Sequence, residues 1–318
     1  MNKAYHVDNA HDLDADQQFL CGGYARQNYV RAHTWRRHFV EMEGLANRFS
    51  QLAWADGPHG YKWPLDPFHW WSRTWEYPWI AAQIDRLDSR IVGRRALDIG
   101  AAVTFFTCYL KARGFEVTNL DYDAAMPSHF ARVFSRVRPE LYSGDLPRYV
   151  TEDARDMRFP ADSFDLITCV SVLEHIPSWE IAVEEMCRVL SPGGTVILTF
   201  DIRRNRSSCG LDPEESSRLL SMLRARLTPC TLEETAAPAD ALDALNAPLR
   251  SRLDSRRLAS RPWSRRLLPF STLPARAIRH ACSLLPRERE NLWIYGGVWQ
   301  KRMPNDRKSP EPLCSHCG

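Results

Sequence analysis

At 318 residues, with 44% hydrophobic, 25% charged and 11% aromatic residues, the chain has room for one large domain with additions and the balance of a folded protein. A net charge of +3 is unremarkable, and no run approaches the roughly 20 apolar residues of a membrane-spanning helix. The polar, acidic start "MNKAYHVDNAHDLDADQQ" lacks the pattern of a signal peptide, and the nine scattered cysteines (Cys108, Cys169 and Cys187 among them in apolar segments) suit reduced thiols in a cytoplasmic protein. Residues 12–90 read as mostly helical and aromatic, broken at "DGPHGYKWPLDP", and Trp54, Trp63, Trp70, Trp71, Trp75 and Trp79 crowd into this stretch. A different rhythm then begins. "RALDI" reads as a short buried strand, "TFFTCYLKARG" as a helix ended by Gly114, "FEVTNLD" as a second strand and "AAMPSHFARVFSRV" as a helix. "RYVTED" is a weaker third strand and "SFDLITCVSVL" a fourth. "WEIAVEEMCRVL" is a helix with Trp179, Val183, Met186 and Leu190 on one face, "SPGG" a turn, and "TVILTFD" a fifth strand. Strands separated by helices predict a parallel sheet covered on both faces. Residues 203–290 lose the rhythm and hold two or three short helices, before "LWIYGGVWQKR" reads as a last strand.

The first strand runs into "GAAVTF", a loop with Gly100 as its single glycine. A dinucleotide fingerprint counted from Gly100 would need glycines where Ala102 and Phe105 stand, and no Gly-Lys-Ser/Thr follows to make a phosphate-binding loop. The loop therefore suits a cofactor without phosphates. Four segments in order, "LDIGAA", "VTNLDYD", "EDARDMRFPADSFDLITCVSVLEHI" and "EEMCRVLSPGGTVILTFD", resemble the class I S-adenosylmethionine-dependent methyltransferases, in particular the type 11 group. The resemblance covers about residues 95–201, roughly a third of the chain. It implies an α/β, Rossmann-like sheet, mostly parallel with the last strand reversed. It also implies a sixth strand, for which "LTPCTLEET" is the best candidate.

The resemblance also supplies roles. Asp98 would orient the loop and reach the cofactor's amino group, and Gly100, Ala101 and Ala102 would pass close to its methionine part. Asp121, 21 residues after Gly100, would accept hydrogen bonds from the ribose hydroxyls. Asp153 and Ala154 would read the adenine edge, with Tyr122 or Met157 over its face. Val170 and Ser171 would meet the methionine end. Thr104 stands where the helix begins and is placed to cap it. Methyl transfer needs alignment above all, and a base only where the acceptor loses a proton. His175, Glu174 and Asp201, at strand tips, are the candidates for that work; the alternative for His175 is a hydrogen bond to backbone. In the aromatic stretch, Trp71, Trp75 and Trp79 recur at helical spacing and read as core, while Arg73, Glu76 and Tyr77 lie off that stripe. Arg73 is expected at the cofactor's carboxylate, with pairing to Glu76 as the alternative. Trp75, Glu76 and Tyr77 are the acceptor candidates.

The expected organisation is an N-terminal helical, aromatic cap (1–90), a cofactor-binding core (91–202), an Arg-rich helical insertion (203–290), a final strand (291–303) and a disordered tail (304–318). The expected reaction is methylation of an O or N atom of a small-molecule, glycan or lipid-linked acceptor. Two rival readings are a cofactor-binding regulatory protein without turnover and a surface-binding protein. Eleven arginines between Arg250 and Arg289 face only Asp254 and Glu288, which fits a solvated insertion, an anionic membrane surface (placing the protein at the inner membrane) or, less well, RNA. "CSHCG" holds Cys314, His316 and Cys317, too few ligands for a closed zinc site, so no metal is expected.

Overall fold

The computed structural model describes residues 14–87, 91, 93–205, 209–243, 246–247 and 292–303. The basic segment 250–289, the tail 304–318 and its "CSHCG" lie outside the described residues. The N-terminal stretch forms α1 (Ala15–Cys21), the two-residue strand β1 (Gly23–Tyr24), the long α2 (His33–Ala53) and α3 (Arg73–Leu87). α2 buries Trp35, His38, Met42, Ala46, Phe49 and Ala53, the three-and-four spacing of an amphipathic helix. α3 continues through Pro78, which has no N–H for the carbonyl of Thr74. The indole Nε1 of Trp35 donates to that carbonyl at 2.9 Å, so the buried acceptor keeps a partner and α2 is pinned to α3.

The predicted alternation is present: β2 (Arg95–Ile99), α4 (Phe105–Ala112), β3 (Glu116–Asp121), α5 (Met126–Leu141), β4 (Arg148–Thr151), β5 (Phe164–Val170), α6 (Trp179–Val189) and β6 (Leu190–Arg203). After β6 come α7 (Pro213–Arg226), the two-residue β7 (Thr228–Pro229) and β8 (Leu292–Gln300). The sheet runs β1-β8-β6-β5-β2-β3-β4, with β7 also on β8. β2 to β6 pair in parallel, and β8 lies antiparallel to β6, so the reversed last strand is as expected.

Two local expectations change. "SPGG" is not a free turn. It lies inside β6, where the register with β5 jumps from Phe164↔Leu190 to Leu166↔Thr195. Gly193, at φ +77°, donates its N–H to the carbonyl of Lys301 at 2.8 Å, so the bulge is held from the β8 side. "LTPCTLEET" supplies only Thr228 and Pro229 as strand, because proline ends the donor row and the outer edge of β8 is shared with β1.

Alternate strand residues point to two apolar cores. One contains residues of α1 to α5 against Ala96, Val117, Leu166 and Ile197, and the other contains residues of α6 and α7 against Leu97, Ile99, Leu120 and Ile167. The expected cap thus shares its core with α4 and α5 and covers one face of the sheet. Trp75 and Trp79 stack at 5.3 Å in that core, and a Cβ at Gly296 would lie 2.9 Å from both rings. Gly296→Ala is expected to destabilise the fold by about 1–3 kcal/mol in denaturant titration. Gly44, in mid-α2 with open space around it, is the control: Gly44→Ala is expected to stabilise by about 0.5–1 kcal/mol.

Candidate active site

The carboxyl ends of β2, β3, β5 and β6 meet on one rim of the sheet, where ligands of open α/β sheets bind. The loop after β2 bends because Gly100 takes φ +70°; a Cβ there would lie 2.4 Å from the Val172 side chain. Ala102 takes φ +46°, a left-handed conformation that favours glycine. It is held there from three sides. Its N–H donates to Asp121 Oδ2 at 3.2 Å, its carbonyl accepts from the Tyr149 hydroxyl at 3.1 Å, and the next N–H, of Val103, donates to the Tyr61 hydroxyl at 3.1 Å. Gly100 and Ala101 both donate to the carbonyl of Leu120, at 2.8 and 3.3 Å. The four N–H groups from 100 to 103 are therefore all taken within the protein, and none is left to cradle a phosphate. Thr104 caps α4 by accepting from the N–H of Phe106.

Three acids follow at the strand ends. Asp98 is 3% exposed and accepts from the Thr168 hydroxyl at 2.7 Å; burial pushes its pKa up to about 7. Asp121 accepts the N–H groups of Ala102 and Asp123, one on each oxygen, and burial raises its pKa as well. These bonds aim the carboxylate while leaving lone pairs on both oxygens. Asp153 is paired with Arg155 at 2.6 Å, which holds it below the usual carboxylate range. Tyr122 stands 78% exposed beside Asp121, while Ala154 and Met157 are buried.

At the tips of β5 and β6 the polar groups interlock. Glu76 has no exposed surface, and its Oε1 accepts from the hydroxyls of Ser171 at 2.5 Å and Thr199 at 2.6 Å. Its Oε2 is paired with Arg73. Ser171, at φ +46°, also donates its N–H to the carbonyl of Thr199. Glu174 lies on a single 3-10 turn (Leu173–His175), where its Oε1 accepts from the N–H of Asp201 at 3.1 Å. Burial first, and the Asp201 charge second, push the Glu174 carboxyl well above its ordinary range. His175 presents an exposed side chain, yet desolvation and then the Arg73 charge lower its pKa.

The structure thus brings Arg73, Glu76, Ser171, Glu174 and Asp201 together, and places Asp98, Gly100, Ala101, Ala102 and Asp121 around the first loop. Glu76, expected to face an acceptor, lies beneath the rim with its carboxylate spent on protein partners. Trp75 lies in the core stack with Trp79, and Tyr77 is buried against Phe68, Phe105 and Phe106. Val170 ends β5 beside Thr199. Sequence reasoning missed Tyr61, Tyr149, Thr168 and Thr199, because a hydroxyl contact across the sheet leaves no spacing to read. Among the described residues there is no metal-ligating cluster and no helix long and apolar enough to cross a membrane.

Residues 97–198 match the family model described as a methyltransferase domain. The chain is 28% identical over 162 residues to a ubiquinone biosynthesis O-methyltransferase of Pseudomonas putida, covering 48% of this chain and 66% of that protein. Against the enzyme of the same description from Pseudomonas aeruginosa, it is 30% identical over 144 residues, covering 43% and 59%. The chain therefore spans less than two thirds of the length of these relatives. Among solved structures it resembles the [4+2]-cyclase SpnF (TM-score 0.49, 14% identity, 72% of this chain and 84% of that one). It also resembles the N-methyltransferase NodS of Bradyrhizobium japonicum (TM-score 0.40, 16% identity, 69% and 83%). Residues 97–198 thus match a methyltransferase domain, and they lie within a mostly parallel sheet whose last strand is reversed.

Two outcomes are expected of the free protein. Ala102→Gly relieves the left-handed strain, and thermal unfolding is expected to rise by about 2 °C, the equivalent of about 0.5–1 kcal/mol. Asp98 has a folded pKa raised above its unfolded value, so its stabilising contribution is complete below pH 3.8 and lost as pH rises through about 7. Asp98→Asn is accordingly expected to be more stable than wild type above pH 7, by at most about 4 kcal/mol, with the difference fading toward pH 4 in denaturant titrations.

Proposed function

We propose that this protein transfers a methyl group from S-adenosylmethionine to an O or N atom of a small-molecule acceptor. The observation that carries the reading is the closed loop at 100–103, whose N–H groups are committed inside the protein while carboxylates surround it. Such a rim suits a ligand that offers hydrogen-bond donors and positive charge and brings no phosphate. Asp121 would take the ribose hydroxyls, and Asp98, with its hydroxyl partner on Oδ1, would take an ammonium group. Gly100 would let the methionine part pass, with Tyr122 beside the adenine. Arg73 stands at the far end of the rim, 21% exposed at its side chain, where a carboxylate would find it. The bound cofactor supplies an activated methyl on a sulfonium; the chain's own task is to align the acceptor and manage its proton. The likeness to O-methyltransferases favours a hydroxyl among acceptors. A glycan or lipid-linked acceptor remains part of the proposal, as does a place at a membrane surface.

Calorimetric titration of S-adenosylhomocysteine tests the reading. Micromolar binding is expected, at least tenfold weaker in Asp121→Ala, because the pair of ribose hydrogen bonds to a charged acceptor is lost. Affinity is expected to rise with pH through about 7 and then level off, because the ammonium favours the ionised form of Asp98. Absence of binding by well-folded wild-type protein would withdraw the enzyme assignment.

A further inference from the structure

Beside the rim, a cavity of about 470 Å³ lies between the 3-10 turn of Glu174, the start of α6 and the start of α7. Its lining includes Glu174, His175, Trp179, Arg203, Leu211 and Arg218. The arginines around this cavity each have a carboxylate partner. Arg203 pairs with Asp212 at 2.9 Å, Arg218 pairs with Glu180 at 2.9 Å and covers the Trp179 ring, and Arg73 behind them is held by Glu76. Glu174 differs from them: its Oε1 is bonded to the N–H of Asp201, while its Oε2 is shut off from solvent without a hydrogen-bond partner. A buried acceptor atom in this condition is unfavourable unless something fills it.

We propose that Glu174, backed by Asp201, receives a hydrogen-bond-donating acceptor group in this cavity, a hydroxyl or an amine, and takes its proton during transfer, so that carboxylate acceptors are rejected. The inference rests on the methyltransferase reading above and narrows its acceptor class. In the step, a bond forms between the acceptor O or N and the methyl carbon, and the methyl–sulfur bond breaks with its electron pair staying on sulfur. The proton of the reacting O–H or N–H passes to Glu174 Oε2. The neighbouring Asp201 charge and burial raise the proton affinity of Glu174 and make it a better base than an ordinary carboxylate. The Arg73 charge acts against this on the other side, and it also lowers the pKa of His175, which is exposed and the weaker candidate. An anionic acceptor would meet Glu174 and Asp201 together, a like-charge approach in a poorly solvated place.

The test uses the full chain saturated with S-adenosylhomocysteine, titrated with phenol, benzylamine and benzoate as probes. Phenol and benzylamine are expected to bind at least tenfold more tightly than benzoate, and Glu174→Gln, which keeps an Oε1 acceptor for the Asp201 N–H, is expected to remove that preference. Independently of any acceptor, infrared spectra of the wild type are expected to show a carboxyl band that persists to higher pH than an ordinary glutamic acid's and is missing from Glu174→Gln. With a turned-over hydroxyl acceptor, the variant is expected to lose about 100-fold in kcat while its affinity for S-adenosylhomocysteine stays within about twofold. Benzoate binding as tightly as phenol, no probe binding at all, or a band and preference that survive in the variant would each overturn the proposal. Failure of the wild type to bind S-adenosylhomocysteine, seen before any probe is added, would instead overturn the methyltransferase reading beneath it.

Discussion

The carboxylate of Glu76 is the group around which the rim is organised. A carboxylate with no exposed surface is tolerated only when its oxygens are satisfied, and leaving it uncompensated costs several kcal/mol. Arg73 from its own helix, Ser171 after β5 and Thr199 within β6 meet that requirement together. One side chain thereby ties α3 to the ends of two central strands. The left-handed backbone at Ser171 and the position of Arg73 both follow from the same anchor. A helix joined this way is part of the rim itself, and the Trp35 bond to the carbonyl that Pro78 leaves open fixes its other side.

Around the first loop the same economy of polar groups applies. A loop with one glycine needs outside support to hold a left-handed alanine, since such a residue stores about 1–2 kcal/mol of strain. Asp121, Tyr149 and Tyr61 provide it, from β3, β4 and the segment before α3. By committing the loop's N–H groups they also decide what the loop can bind. Phosphate-binding loops keep such donors open. Here the ligand-facing chemistry is carried by carboxylates, and burial raises the pKa of Asp98, Asp121 and Glu174 alike. Crowded acids in a poorly solvated rim are unfavourable for the free protein and become favourable when a cationic, donor-rich ligand sits among them.

The sheet was legible because its signals are local and redundant. Apolar runs bounded by glycine and acid mark β2, β3 and β5, and the three-and-four spacing of Trp179, Val183 and Met186 marks α6. The stripe of Trp71, Trp75 and Trp79 was also readable as core, and all three are buried. "SPGG" misled because its turn residues serve a bulge: Gly193 is positioned by the carbonyl of Lys301, which is more than 100 residues away. The sixth strand shrank to two residues because β1 takes part of the same edge, a competition that neither segment shows by itself.

By itself, the sequence determined the strand and helix alternation, the unsuitability of the first loop for a dinucleotide, and the acids at the strand ends, because each depends on residues close together in the chain. Only the tertiary structure decided which of those groups face a ligand. Glu76 and Glu174 are the same residue type at neighbouring sites, yet one is saturated by two hydroxyls and an arginine and the other keeps an oxygen without a partner. Partners for a buried carboxylate come from residues 95 and 123 positions away, and such distances are set by the fold and leave no mark on local pattern.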